Sequence, residues 1–223
     1  MREIVLDTET TGLDPSQGHR IVEIGCLELV DRVWTGGTWH RFIDPERAMP
    51  EDAFRIHGIS DEMLAGQPKF ADIADDFLEW AGDAPLVIHN AEFDMRFLNA
   101  ELGWCNRPLL DRARAIDTLA IARRQFPGAP ASLDALCKRF GVDNSGRELH
   151  GALIDAQLLA GVYYHLVAGR QEGLALGGAG QGGASRTERV FRAPRSFPVD
   201  ADELAAHSAF VGTAVKNPIW LRE

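Results

Sequence analysis

The chain has 223 residues, 45% of them apolar and 25% charged, with a formal net charge of −10. That length holds one sizeable domain with an appendage or two small ones, in the composition range of soluble globular proteins. No apolar run approaches a bilayer-spanning length and the start MREIVLD lacks a signal-peptide core, so a cytoplasmic protein is expected, with no membrane partner.

The first predicted elements are strands. EIVLD (3–7) reads as a short buried strand. RIVEIGCLELV (20–30) and TWHRFI (38–43) are two more, separated by a turn at TGG (35–37), which suggests an antiparallel meander. FADIADDFLEWAG places Phe70, Ile73, Phe77 and Trp80 at helical spacing and stops at Gly82. PLVIHN (85–90) is a fourth strand. Residues 92–104 form a helix with Phe93, Phe97, Ala100 and Trp104 on one stripe. AIDTLAIARRQF (115–126) and SLDALCKRFG (132–141) are further helices, the second capped by Ser132 and stopped by Gly141. GALIDAQLLAGVYYHLVAG (151–169) is the longest. Alternation of this kind gives an α/β domain, a mixed sheet covered by helices. Cys26, Cys105 and Cys137 are odd in number, widely spaced and set among apolar neighbours, and read as reduced core residues.

At Gly169 the composition changes. Six of the eleven residues 173–183 are glycine, the signature of a flexible linker. Beyond it Val190, Phe191, Phe197, Phe210, Ile219 and Trp220 are too few for a core. They suit docking onto another protein, or a tail that is disordered or folds back. The boundaries are a domain over 1–170, a linker over 171–185 and a tail over 186–223. The tail and linker carry six acids and six bases, so residues 1–170 hold the whole excess, 27 acids against 17 bases. An acidic domain handles a polyanion only with cations between the two, and then needs a partner to keep it on the substrate.

Three segments stand out chemically. In VLDTET, alternation puts Asp7 and Glu9 on one face of the first strand. Alone, that reads as a strand surfacing into solvent. In VIHNAEFD a buried strand runs into a helix with Asp94 in its first turn. The helix dipole explains an acid there, and so does a site at a strand end. In HGALIDAQLLAGVYYHL, Asp155 falls on the apolar stripe of Ala152, Leu159, Val162 and Leu166, where no Lys or Arg lies. A buried acid there needs a cationic partner, and a bound metal is the economical one. His150 lies off that stripe, at the loop entering the helix, and can swing toward the same site. A lone histidine is usually structural, and this one is supported by its company. Four carboxylates and one histidine suit hard, oxygen-seeking cations, magnesium or manganese rather than zinc. The matching chemistry is two-metal phosphodiester cleavage with histidine as general base.

DTET, HNAEFD and HGALID resemble the three motifs of the DEDDh exonuclease family, and all five residues of its pattern are present at the family's spacings. The resemblance implies a ribonuclease H-like fold with a mixed five-stranded sheet flanked by helices and a flexible C-terminal tail. It also implies metal-dependent 3′–5′ release of nucleoside 5′-monophosphates. Asp7, Glu9, Asp94 and Asp155 would hold two divalent cations, Mg2+ or Mn2+, and His150 would be the general base. Asp52 and His57 match positions that contact the terminal nucleotide, with Thr10, Asn90 and Phe93 as further neighbours. Residues 1–170 are similar to the proofreading branch of that family, which implies three partners. These are the single-stranded 3′ end of primer DNA, the polymerase alpha subunit bound through the tail, and a small accessory subunit. QEGLAL places Gln171, Leu174 and Leu176 as in a beta sliding-clamp motif. The same catalytic residues also serve RNA-processing enzymes of ribonuclease T or oligoribonuclease type. A third reading makes the chain a scaffold between clamp and polymerase.

Overall fold

Why the chain forms a three-layer sandwich follows from its central strand, which is apolar on both faces. The computed structural model describes residues 1–146, 149–168 and 200–214. In β1 (Arg2–Thr10), Ile4 and Leu6 join one core cluster and Val5 joins another. β1 pairs antiparallel with β2 (Ile21–Val30), which pairs antiparallel with β3 (Val33–Phe42). After α1 (Glu51–His57), α2 (Asp61–Leu64) and α3 (Phe70–Ala81), β4 (Leu86–Ile88) returns parallel to β1. α4 (Ala91–Trp104) leads to β5 (Ala115–Asp117), parallel to β4. The sheet order is β3-β2-β1-β4-β5. α5 (Thr118–Gln125), α6 (Leu133–Phe140) and α7 (Ala152–Ala168) follow.

Phe70 and Phe77 of α3 and Phe97 of α4 pack on the Ile4 and Leu6 face. Leu136 of α6 and Leu159, Val162 and Leu166 of α7 pack on the Val5 face. Asp7 and Glu9 continue the Val5 face, so the alternation of one strand aims both toward α7. The parallel strands β1, β4 and β5 end at the same edge, where open α/β sheets gather ligands.

The structure corrects four details of the sequence reading. TGG is no turn: Asp31 and Arg32 make it, both left-handed with φ of 51° and 67°, the twist-matched two-residue hairpin. Residues 35–37 instead bulge inside β3, opposite the register shift between Leu27 and Leu29. AID is the edge strand β5 rather than helix, because the Asp117 side chain accepts from Leu119 and Ala120 N–H and starts α5 there. Trp104 leaves the buried stripe of α4: half exposed, it lies under the Arg20 guanidinium, 5.2 Å from its ring centre. α1 and α2 are additions. The expected ends at Gly82 and Gly141 and the Ser132 cap are present. Cys26 and Cys137 are buried, Cys105 is half-buried, and none of the three is in a disulfide.

The chain divides into two compact units, Met1–Leu176 and Gly177–Glu223. In the second, α8 (Ala201–Ala214) is capped by Asp200 and exposed along its length apart from Val211, with Phe210 61% exposed. Gln171, Leu174, Leu176, the glycine segment and the other apolar tail residues lie outside the described residues. Among the described residues no helix is long and apolar enough to cross a membrane.

Candidate active site

Three element ends bring the predicted acids together. β1 supplies Asp7 and Glu9 at its carboxyl end. The turn from β4 into α4 runs through Asn90, left-handed with φ 66°, whose N–H donates to Asp117 Oδ1 at 3.2 Å. Asn tolerates that backbone better than most residues. The turn places Asp94 in the first turn of α4, 3% exposed. There its Oδ1 accepts from the Thr8 hydroxyl at 2.7 Å. α7 carries Asp155, also 3% exposed, at its first turn. His150, on the exposed approach to α7, sets Nδ1 3.3 Å from Asp155 Oδ2. Glu9, His150 and Asp155 each offer a ligand atom, all within 4.8 Å of one another.

The electrostatics are those of concentrated negative charge. Burial pushes the Asp7 carboxyl well above its ordinary value, and Asp94, Glu9, Asp155 and Glu23 push it further. All four of these charges have its own sign. Burial raises Asp94 to about 7, against the Thr8 hydrogen bond, which holds it down. Carboxylates so placed are stabilised by cations. The donor set of acid oxygens and one imidazole fits a hard divalent ion better than zinc.

Two clefts flank these acids. The first, about 530 Å³, is lined by Glu9, Thr10, Asp52, His57 and Phe93. The second, about 580 Å³, is lined by Asp7, Asn90, Arg123, Ser132, His150 and Asp155. Glu9 thus lines the first cleft, while Asp7, His150 and Asp155 line the second. Of the expected substrate neighbours, Thr10 and Phe93 line the first cleft and Asn90 the second, while Asp94 is buried behind Thr8. Asp52 is exposed. His57 is 6% exposed; its Nδ1 accepts from Ile59 N–H at 3.0 Å, which puts the proton on Nε2. Burial lowers its pKa, so the ring stays neutral. Among the described residues that Nε2 completes no hydrogen bond, although the Thr10 backbone acts on the ring, and it lies at the first cleft.

The sequence reading missed Thr8, Glu23 and Gly25. Thr8 lies between two acids in sequence and grips Asp94 from the opposite face of β1. Glu23 and Gly25 interrupt an apolar strand, a polar residue and a glycine where neither suits β structure, and that was the available signal. A Cβ at Gly25 would lie 2.3 Å from the backbone of Ala152 and Leu153, so only glycine lets the start of α7 reach the sheet.

The exonuclease family model matches residues 4–163. The DNA polymerase III subunit epsilon of Rickettsia felis is 63% identical over 174 residues, 77% of this chain and 76% of that one. Its counterpart in Escherichia coli K12 is 43% identical over 222 residues, 93% and 91% of the two chains. Among solved structures, exonuclease X in complex with 5′ overhanging duplex DNA is 27% identical, with a TM-score of 0.59 over 75% of this chain and 92% of that one. The nuclease domain of 3′hExo, a DEDDh family member bound to rAMP, shares the fold at 18% identity, with a TM-score of 0.65 over 76% and 92%. By family model, sequence identity and fold together, the chain belongs to the exonuclease family and, within it, to the DNA polymerase III epsilon subunits.

Proposed function

We propose that the chain is the proofreading 3′–5′ exodeoxyribonuclease subunit of DNA polymerase III, removing mismatched 3′-terminal nucleotides as nucleoside 5′-monophosphates. The observation that carries this reading is the cluster of buried Glu9, Asp94 and Asp155 with half-buried Asp7, beside an exposed histidine and between two clefts. Asp7, Glu9, Asp94 and Asp155 would hold two divalent cations, Mg2+ or Mn2+. These would supply a water nucleophile at neutral pH and offset the charge growing on the leaving oxygen. His150, oriented by Asp155, takes the proton of the attacking water. The first cleft receives the terminal nucleotide, with the His57 Nε2–H as donor, Phe93 as apolar wall, and Asp52 and Thr10 at its rim. The cleft accepts an unpaired end, and a mismatched end melts at lower cost than a paired one.

The tail would dock on the polymerase alpha subunit and residues 171–176 on the beta sliding clamp, with a small accessory subunit alongside. Tethering raises the local concentration of an acidic domain at the primer end. The chain would then work in the cytoplasm at the replication machinery.

The test pairs Asp7→Ala/Glu9→Ala with an excision assay on mismatched and matched 3′ ends, as DNA and as RNA, with Mg2+ or Mn2+. The double variant is expected to lose at least about 10⁴-fold in kcat, as when a catalytic constellation is broken. The wild-type chain should prefer DNA and mismatched ends. Retained activity would remove this site from the mechanism, and preference for RNA would favour an RNA-processing exonuclease. A pull-down with the alpha subunit, before and after truncation at Gly169, tests the tether.

A further inference from the structure

Glu23 is a buried carboxylate that the proposed chemistry does not use. It is 4% exposed, on β2, and its cross-strand partner is Glu9. Its two oxygens are committed elsewhere: Oε2 accepts the Ala152 N–H at 3.0 Å and Oε1 lies 2.7 Å from His40 Nε2. Ala152 opens α7, and its N–H is one of those a helix start cannot satisfy internally. Glu23 therefore caps, from across the sheet, the helix that carries Asp155 one turn further on. His150 lies two residues before that capped N–H.

Placing a fifth acid beside four others is electrostatically unfavourable, and its charge is felt at Asp7. The dipole of α7 offsets that charge, and the His40 ring sits within hydrogen-bond distance of it. What the arrangement gains is registration. β2 carries Glu23 next to Glu9, and the Gly25 gap seats the helix start directly on the same strand. A second anchor holds the segment from the other side, where His150 N–H donates to Ile56 O of α1 at 3.2 Å. Between these anchors, Glu9, His150 and Asp155 come within 4.8 Å of one another.

We propose that Glu23 is a positioning residue: by capping α7 at Ala152 it fixes His150 and Asp155 against Glu9, and so sets the geometry of the cation site without touching cation or substrate. The inference rests on the proposed function for its kinetic consequence and on geometry alone for its effect on the cations. Outer partners of this kind typically change metal affinity or activity by about 10–100-fold.

The experiment uses the full chain and two readouts, steady-state excision of a single-stranded DNA oligonucleotide and Mn2+ binding by calorimetry. Glu23→Ala is expected to lower kcat and weaken Mn2+ binding, each at least about tenfold, with KM within about twofold. Glu23→Gln keeps an acceptor for Ala152 and should recover kcat to within about threefold, whereas Glu23→Leu, which fills the space without an acceptor, should stay as impaired as Glu23→Ala. If Glu23→Ala does not fold, Glu23→Leu carries the same expectation, since it fills the space that alanine leaves and offers the Ala152 N–H no acceptor. Unchanged kcat and Mn2+ affinity in a folded variant would overturn the inference, as would a Gln variant as impaired as the Ala variant. A wild-type chain that binds Mn2+ and cleaves no DNA would overturn the proposed function instead, leaving the Mn2+ arm to decide the role of Glu23.

Discussion

Two regions of this molecule bury carboxylates, and they treat them in opposite ways. Glu101 of α4 is 2% exposed and fully answered. Arg20 Nε and Nη2 donate to its two oxygens at 2.8 and 2.9 Å, and Ile21 N–H adds a third bond at 3.1 Å. This fork fastens the start of β2 to α4, a structural staple. At the ends of β1, α4 and α7 the acids face one another instead, and Asp7 and Asp94 are driven up toward protonation. Burial is shared by the two regions. The difference lies in the sign of the neighbours. Where a chain places a cation beside a buried acid it stabilises the fold, and where it places more acids it leaves room for cations from solution.

Breaking the staple should give the largest effect on stability. Glu101→Ala removes the fork from Arg20, which keeps Glu46 at 3.6 Å and the Pro45 carbonyl at 3.4 Å, and leaves the Ile21 N–H without its acceptor, at an expected cost of about 1–3 kcal/mol. Thermal unfolding would show the loss, with kcat per folded molecule unchanged. A fall in kcat with no change in stability would mean that α4 serves the site through Glu101.

The contrast sharpens with pH. The ordinary carboxyl value for Asp94 is 3.8 and the native value about 7. Between them the native chain keeps a proton that the unfolded chain has lost. The stability this contributes is therefore present below 3.8 and is lost as pH rises through about 7. Asp14, Asp31 and Asp75 are held below their ordinary values and act with the opposite sign, lost on acidification, but all are exposed and weak. His57 and His89, lowered by burial, also act with the opposite sign and add stability as pH rises toward 6.5. Relative to Asp94→Asn, metal-free protein should thus melt lower as pH climbs toward 7, and the gain on adding Mn2+ should grow across the same interval, because cations displace protons. Melting curves of both chains in chelator and in Mn2+ across that range test both slopes. A metal-free wild type that gains stability over the interval relative to Asp94→Asn would contradict the assignment.

Much of this site was legible because its signals were local. Asp155 stood out as an acid on an apolar helical stripe, and alternation alone aimed Asp7 and Glu9 at one face. β1, β2, α3, α6 and α7 followed from periodicity and end signals such as Ser132 and Gly141. The failures have physical reasons. β5 has three residues, too few for a period to register, and its Asp117 is also the cap that starts the next helix. The hairpin at Asp31 and Arg32 uses a left-handed pair without glycine, so the nearby TGG attracted the turn. Thr8, Glu23 and Gly25 act through partners 86, 129 and 127 positions away, at Asp94, Ala152 and again Ala152. Contacts of that range leave no periodic trace in a single sequence.

The central claim is that the acids at the ends of β1, α4 and α7 are held together for cations at some expense to the metal-free fold. Asp7→Asn tests it most directly, because the change keeps shape and removes one like charge from the cluster. Its melting temperature should be compared with wild type at pH 8, in chelator and in Mn2+. The expected result is a variant that melts about 2–4 °C higher than wild type without metal, about 1 kcal/mol for a domain of this size, and gains little from Mn2+. A variant that melts lower without metal, or that gains as much from Mn2+ as wild type does, would contradict the claim.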